Sequence, residues 1–231
     1  MENSVLGAEM SKLERIAPKD IEKRSFEIID EIIGAEYPNA VIDERYMPII
    51  RRAIHTTADF SYLETLCFSE NVIDKALAAI NNKCTVITDT NMAMAGINKR
   101  LLAEYGAEII CYMADDGVAA QARQRGITRA AVSMEKAARF AQSGRELIFV
   151  IGNAPTALVR LYELIMDCAL KPQLIIGAPV GFVNVVQSKE LIMQTDTPYI
   201  VARGRKGGSN VAAAIFNALL YMKREGGVLF E

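Results

Sequence analysis

The sequence has one histidine, no tryptophan and only four cysteines in 231 residues. The cysteines, Cys67, Cys84, Cys111 and Cys168, are far apart and form no Cys-x-x-Cys pair, and a single histidine cannot complete a usual zinc site with them. We therefore expect buried thiols in a reducing cytoplasm and no protein-bound metal. The formal net charge of −2 gives no global basic field, which argues against a general nucleic-acid-binding protein.

Long apolar segments and the common catalytic motifs are also missing. The longest apolar runs, around residues 174–183 and 211–222, are too short or too interrupted to span a bilayer. Residues 1–19 are polar and charged and do not resemble a signal peptide. The chain has no Gly-x-Ser-x-Gly, His-Glu-x-x-His or Walker A motif. These absences predict a cytoplasmic protein without a membrane span.

The single histidine, His55, is the first candidate for proton chemistry near neutral pH. Apolar residues at helical spacing precede it over residues 46–54, so His55 is expected near the C-terminal end of a helix. Such an end favours the imidazolium form, and Asp59 lies one turn further on if the helix continues. A surface histidine or a satisfied core histidine without a catalytic role accounts for the same pattern.

From residue 83 onward, short β-branched runs alternate with helical segments. This alternation predicts an α/β fold in a single domain over residues 1–231, with a mostly parallel, doubly wound sheet of about five strands and helices on both faces. Residues 18–82 or so are predicted to form an N-terminal helical segment. The predicted strands are 84–88, 108–112, 146–151, 173–176 and 199–202. The predicted helices between them are 91–105, 128–142, 155–170, 187–195 and 209–223.

Ligands of open parallel sheets bind beyond the carboxyl ends of the strands, where loops 152–156, 177–182 and 203–209 are expected to meet. The last of these loops has three glycines and three cations, Arg203, Arg205 and Lys206, just before a helix. Glycines let backbone N–H groups approach a ligand, and arginine can grip a carboxylate in two places, so the loop suits phosphate or carboxylate groups. A solvated turn with incidental charges remains the alternative.

The neighbouring loops give weaker signals. Asn153 is a natural cap for a helix that begins at Pro155, which is a sufficient structural reason for it. Phe182 could form one wall of a flat apolar pocket. Lys189 and Arg129 are cations near predicted helix starts, where an anionic ligand would remove an electrostatic conflict. Solvated side chains are the default interpretation of both.

Taken together, these segments resemble the precorrin-8X methylmutase family, including its cobalt-precorrin-8 branch. The resemblance covers about residues 21–219, and residues 56–59 are more similar to the cobalt-dependent branch. The motifs that carry it are Arg24-Ser25-Phe26, Ile54-His55, Asp89 with Met92 and Gly96-Ile97, Thr128-Arg129, residues 151–158, residues 179–183 with Ser188-Lys189, and Arg203-Gly204-Arg205 with Gly207-Gly208-Ser209.

The resemblance implies an isomerase of cobalamin biosynthesis that moves a methyl group from C-11 to C-12 of precorrin-8 or cobalt-precorrin-8, giving hydrogenobyrinate or cobyrinate. It also implies a homodimer with the active site at the subunit interface. His55 would be the catalytic proton donor and acceptor. No cofactor is expected, because the shift is an internal rearrangement and any cobalt would be carried by the substrate. The substrate-binding residues that the motifs suggest are Ser25, Asp89, Arg129, Asn153, Thr156, Lys189, Arg205, Gly207 and Ser209.

Two other classes of function remain open at this point. A non-catalytic carrier or binding module for acidic tetrapyrroles would keep the basic glycine-rich loop but would have no need of His55. A nucleotide-binding α/β protein is disfavoured, because the spacing of a phosphate loop is missing.

Overall fold

The computed structural model describes residues 13–141 and 144–224. The polar N-terminal residues 1–12 and Gln142, the predicted end of a helix, lie outside the described residues. Contacts within the chain form two compact units, Met1–Asn39 and Ala40–Glu231. The single-domain boundaries expected from the sequence stay a prediction.

The N-terminal unit contains one long helix, α1 (Ile21–Glu36), which follows a 3-10 turn at Pro18–Asp20. Proline suits the start of this turn, because its missing N–H would have no helical partner there. The helix continues past Gly34 and closes with Tyr37, whose N–H donates to the Ile33 carbonyl. Of the apolar residues of α1, Ile29 is buried.

The second unit is built on a six-stranded sheet, as far as the described residues show. The strands are β1 (Leu66–Phe68), β2 (Thr85–Thr88), β3 (Glu108–Cys111), β4 (Leu147–Ile151), β5 (Leu174–Gly177) and β6 (Tyr199–Ala202). Their order in the sheet is β1-β6-β5-β4-β2-β3, and every pairing is parallel except β1 with β6. The predicted mostly parallel α/β fold is confirmed, with one short antiparallel edge strand that the sequence does not predict.

Helices connect these strands. Within the described residues of the second unit they are α2 (Met47–Thr57), α3 (Tyr62–Thr65), α4 (Val72–Asn81), α5 (Asn91–Gly96), α6 (Lys99–Glu104), α7 (Asp116–Arg125), α8 (Arg129–Ala141), α9 (Pro155–Met166), α10 (Val185–Met193) and α11 (Ser209–Arg224). A 3-10 turn at Glu44–Tyr46 precedes α2, and Pro48 lies in the first turn of α2, where its missing N–H would have no helical partner. The single helix predicted over residues 91–105 is wrong, because Asn98 caps a second helix there and divides it into α5 and α6.

The sheet is covered on both faces. On one face, alternate strand residues such as Phe149 and Ile175 form a buried cluster with Met134 of α8, Leu158 of α9 and Ile192 of α10. The strand residues between them point the other way and are also fully buried, and α4 and α11 contact β4 and β5 there. Burial on both faces explains why the central strands are continuous apolar runs. Because β2, β4, β5 and β6 are parallel, their carboxyl ends lie along the same edge of the sheet, where each strand passes into its loop.

Candidate active site

The loops after β4, β5 and β6 are in direct backbone contact at this edge. The Gly208 N–H donates to the Ala178 carbonyl (2.8 Å), and a Cβ on Gly152 would lie 2.5 Å from the Cα of Ser209. A Cβ on Gly207 would overlap the Ala178 carbonyl oxygen, and Gly207 also has φ +154, which L side chains rarely adopt. Only glycine fits these positions, so the glycines of the motifs hold three loops together.

Asp89, the residue after β2, fixes the loop after β4 through hydrogen bonds to its backbone. Its carboxylate is fully buried and accepts hydrogen bonds from the backbone N–H groups of Gly152 (2.9 Å), Asn153 (2.7 Å) and Ala154 (2.7 Å). Burial raises the pKa of this carboxyl, and the three N–H donors oppose that effect. The prediction that Asn153 caps α9 is wrong: Ala154 holds the cap position and makes no side-chain bond.

Lys189 fixes the loop after β6 with the opposite charge, as a donor to backbone carbonyls. It is fully buried, and its Nζ donates to the carbonyls of Gly204 (2.8 Å) and Lys206 (2.9 Å). Burial lowers the pKa of this amine to about 8. Because α10 begins at Val185, Lys189 lies in its second turn rather than at its start. The expected conflict between the Lys189 cation and a helix N-terminus is therefore wrong. Direct contact of Lys189 with substrate stays a prediction, which its full burial disfavours.

Hydroxyl groups link further parts of the same edge. Thr90, after β2, has its Oγ1 2.8 Å from the Oγ of Ser209, the first residue of α11. Thr128 and Thr156 have their Oγ1 atoms 2.8 Å apart, which joins the starts of α8 and α9. Ser209 is buried and Thr156 is exposed, so of these two residues Thr156 is the one that a ligand can reach.

His55 is an exposed residue in the last turn of α2. The helix ends two residues later at Thr57, and Ala58 adopts the left-handed conformation (φ 54) with its N–H on the Ile54 carbonyl. Asp59 is therefore beyond the helix, and the prediction that it lies one helical turn after His55 is wrong. Its Oδ2 instead lies 2.7 Å from Nζ of Lys206. This ion pair brings the segment after His55 against the loop after β6.

An apolar and cationic surface lies beside these loops. Phe182 and Val183 are 83% and 79% exposed. The guanidinium carbon of Arg205 is 6.0 Å from the centre of the Phe182 ring, within the range of a cation–π contact. Arg205 itself is exposed.

A family model for precorrin-8X methylmutase matches residues 20–222. The chain belongs to the precorrin-8X methylmutase family. It is 45% identical to the cobalt-precorrin-8 methylmutase of Salmonella typhimurium, over 90% of this chain and 97% of that protein. It is 41% identical to the cobalt-precorrin-8 methylmutase of Priestia megaterium, over 94% of this chain and 92% of that protein. A crystal structure of the precorrin-8X methylmutase from Thermus thermophilus superposes with a TM-score of 0.80 at 35% identity, over 90% of this chain and all of that one.

The other site residues predicted for this methylmutase-family chain lie at helix starts or in the N-terminal unit. Arg129 is the first residue of α8 and is exposed, as is Asn153 before α9. Ser25 belongs to the N-terminal unit, where its hydroxyl donates to the Ile21 carbonyl. The guanidinium of the neighbouring Arg24 pairs with Glu14 and Glu31. Substrate contact of all the named residues stays a prediction.

Sequence reasoning missed the link between Lys206 and residues 59–61. Besides Asp59, the Nζ of Lys206 contacts the hydroxyl of Ser61 (3.0 Å), and Asp59 Oδ1 accepts from both the N–H and the hydroxyl of Ser61. An aspartate two residues before a serine is a recognisable turn signal. Its partner is 147 positions further along the chain, however, and no local pattern indicates it.

The described residues also bear on metals and membranes. Over residues 13–141 and 144–224, no group of three or more histidine, cysteine, aspartate or glutamate residues could hold a metal ion. In the same residues, no helix is long and apolar enough to cross a membrane. The four cysteines are free thiols, but the expectation that they are buried is wrong for Cys168, which is exposed, while Cys67 and Cys111 are half-buried. Cys84 is buried, and burial raises its pKa to about 12.

Proposed function

We infer that this protein is an isomerase of cobalamin biosynthesis, which converts precorrin-8 or its cobalt form to hydrogenobyrinate or cobyrinate by moving a methyl group from C-11 to C-12. The observation that carries this conclusion is the family match over residues 20–222, together with curated methylmutase relatives that cover nearly the same length. The fold adds a set of glycine-rich loops at the carboxyl edge of a parallel sheet, where ligands of such sheets bind.

We propose that His55 is the general acid and base of the reaction. The bond from the methyl carbon to C-11 breaks as its bond to C-12 forms, so the substrate gains and loses no atom overall. A proton donated by His55 to a ring nitrogen draws electron density from the migrating system, and His55 takes the proton back afterwards. The exposed position of His55, beside a segment tied to the loop after β6, supports this role.

Recognition of the substrate is proposed to combine cations with an apolar surface. The macrocycle is flat and apolar with a rim of carboxylates, so it needs scattered donors around an apolar wall. Arg129 and Arg205 are exposed and would pair with carboxylates, while Thr156 and Asn153 supply polar groups at the start of α9. Phe182 offers the apolar wall. Buried Asp89 and Lys189 would act on these loops rather than on the substrate.

The assembly and setting of the enzyme are further proposals. A homodimer with the active site at the subunit interface would cover the exposed apolar residues Phe182 and Val183. No cofactor is needed, because the rearrangement is internal and any cobalt belongs to the substrate. Free thiols fit a reducing cytoplasm, where we propose that the enzyme works.

The test is turnover of metal-free and cobalt-loaded precorrin-8 by the purified protein, followed by the visible spectrum. We expect conversion to the hydrogenobyrinate or cobyrinate spectrum, and the ratio of the two rates shows which substrate is preferred. Hydrogenobyrinic acid should also raise the melting temperature, whereas ATP and NAD should not. Binding of the pigment without any conversion of precorrin-8 would contradict the proposal and identify a carrier instead.

A further inference from the structure

The side chain of Lys206 joins the loop after β6 to the segment that follows the catalytic candidate His55. Its Nζ lies 2.7 Å from Oδ2 of Asp59 and 3.0 Å from Oγ of Ser61. Asp59 is only four residues after His55, and α2 ends between them at Thr57. Only three residues therefore separate Asp59 from the histidine, so a displacement of Asp59 acts directly on the last turn of α2.

The loop end of this link is itself held firmly. The carbonyl of Lys206 accepts a hydrogen bond from the buried Nζ of Lys189 at 2.9 Å, and the next residue, Gly207, packs against the Ala178 carbonyl. The backbone of Lys206 is thus fixed to α10 and to the loop after β5. Its side chain extends from this fixed point to Asp59.

The turn end is ordered by the same two residues that Lys206 contacts. Asp59 Oδ1 accepts from the N–H (3.0 Å) and hydroxyl (2.7 Å) of Ser61, which leaves Oδ2 for the lysine. The hydrogen bond from Lys206 is the main cause that lowers the pKa of Asp59, so the carboxylate is ionised at neutral pH. One ammonium group therefore binds both ends of a compact turn.

We propose that Lys206 is a positioning residue for the methyl shift: through Asp59 and Ser61 it ties the turn after α2 to the loop after β6 and so sets the placement of His55. This proposal rests on the proposed function, and on His55 as its proton donor. The ion pair is partly exposed, with side-chain exposures of 56% and 28%, so it contributes little to global stability. The ion pair is proposed to act on the position of His55 rather than on the stability of the fold.

The experiment compares kcat and KM for the wild type, Lys206→Met, Asp59→Asn, the double variant and Lys206→Arg. Lys171→Met is the matched control, because Lys171 is exposed and precedes β5, at the opposite edge of the sheet. We expect each single variant to lower kcat by about tenfold or more, since small misplacements of a catalytic group are costly. KM should change by less than about threefold, because no substrate contact is lost.

The pattern among the variants separates positioning from other roles. The double variant should be no slower than the slower single variant, because both changes break one link. Lys206→Arg should recover most of kcat, and Lys171→Met should match the wild type. If Lys206→Met raised KM strongly while Asp59→Asn did not, Lys206 would be a substrate ligand and the proposal would be overturned. Unchanged kcat in both single variants would overturn it as well.

A second measurement keeps this proposal separate from the proposed function. Amide hydrogen exchange over residues 57–65 should be faster in Lys206→Met and Asp59→Asn than in the wild type or Lys171→Met. Absence of methyl transfer by the wild type would refute the proposed function and with it the catalytic role of the link, whereas the exchange rates would still show whether the link orders the turn. Equal exchange in all four proteins would refute the link itself.

Discussion

At the scale of single residues, the site combines one exposed imidazole with two buried charges of opposite sign. Asp89 is satisfied by backbone N–H groups and Lys189 by backbone carbonyls. A buried charge is costly unless it is hydrogen-bonded in this way. Both residues therefore act on the loops of the candidate site, and the residues proposed to meet the substrate are exposed ones.

His55→Ala should lower kcat by about 10²–10⁴-fold, which is the usual contribution of a general acid or base. Because His55 is exposed, the melting temperature and the binding of hydrogenobyrinic acid should stay close to wild type. A spectral assay of methyl migration with thermal denaturation of the same samples checks both. If the variant turned over substrate at the wild-type rate, His55 would have no role in the chemistry.

Lys189→Met should lower the free energy of unfolding at pH 7 by about 1–3 kcal/mol, because two loop carbonyls lose their buried donor. The pKa of Lys189 is about 8 in the folded protein, below the 10.5 of an ordinary lysine. Below pH 8 both states hold the proton, so Lys189 contributes no pH dependence there. Between about pH 8 and 10.5 the folded state releases the proton first, so the stability of the wild type rises.

The measurement for Lys189 is urea unfolding of the wild type, Lys189→Met and the exposed-site control Lys171→Met at pH 7 and pH 10. The stability difference between the wild type and Lys189→Met should grow with pH, whereas Lys171→Met should follow the wild type. A difference that stayed constant, or shrank, would show that Lys189 is not held with a lowered pKa.

At the scale of elements, the loops after β4, β5 and β6 depend on close backbone contacts that exclude side chains. Gly207→Ala should cost more than Gly204→Ala, although both glycines have positive φ. A Cβ at Gly207 overlaps the Ala178 carbonyl oxygen, whereas a Cβ at Gly204 has no neighbour within 4 Å. Gly204→Ala therefore measures backbone strain alone, of about 1 kcal/mol, and Gly207→Ala adds displacement of the loop.

Chemical denaturation of both variants, and titration of each with hydrogenobyrinic acid, make the comparison. We expect Gly207→Ala to lose at least about 2 kcal/mol of stability and to bind hydrogenobyrinic acid weakly, while Gly204→Ala keeps most of both. Equal effects of the two substitutions would mean that the contact with Ala178 does not shape the site.

Local pattern predicts the central strands well and the cap of α9 badly. Continuous apolar runs place β2, β4, β5 and β6 within about a residue of their ends, because burial on both faces leaves a strong signal. The edge strand β3 is placed as closely, although its residues are half-buried or exposed. β1 has only three residues, and its pairing with β6 crosses more than a hundred positions of sequence. The carboxylate that binds the start of α9 likewise comes from Asp89, about sixty positions before it.

The polar helix α7 (Asp116–Arg125) shows a different limit. Its apolar face is narrow, with Val118 and Ala122 as its buried residues, so hydrophobic periodicity does not indicate it. Its start is nevertheless recorded in the sequence, since Asp115 caps it through the Val118 N–H. Of the site itself, sequence reasoning predicts that the loops meet and names Asp89 and Lys189, but it does not predict that both are buried and bind backbone groups.

At the scale of the whole molecule, the proposed homodimer has a direct test. Sedimentation velocity of the purified protein should give a single species at twice the 25.4 kDa of one chain. Because the proposed active site uses both subunits, specific activity should fall when dilution separates them. A 25.4 kDa monomer with undiminished activity would contradict a site at the subunit interface.

The proposed reaction is an internal methyl shift, and an isotope-crossover measurement tests it most directly. Precorrin-8 carrying ¹³C in the methyl group on C-11 is mixed with unlabelled precorrin-8 that is marked elsewhere in the macrocycle, and the products are examined by NMR and mass spectrometry. We expect the ¹³C signal to move to the methyl on C-12 of the same molecule, with no exchange between the two pools and no change in mass. Label that stayed at C-11, or that appeared in the second pool, would contradict the account.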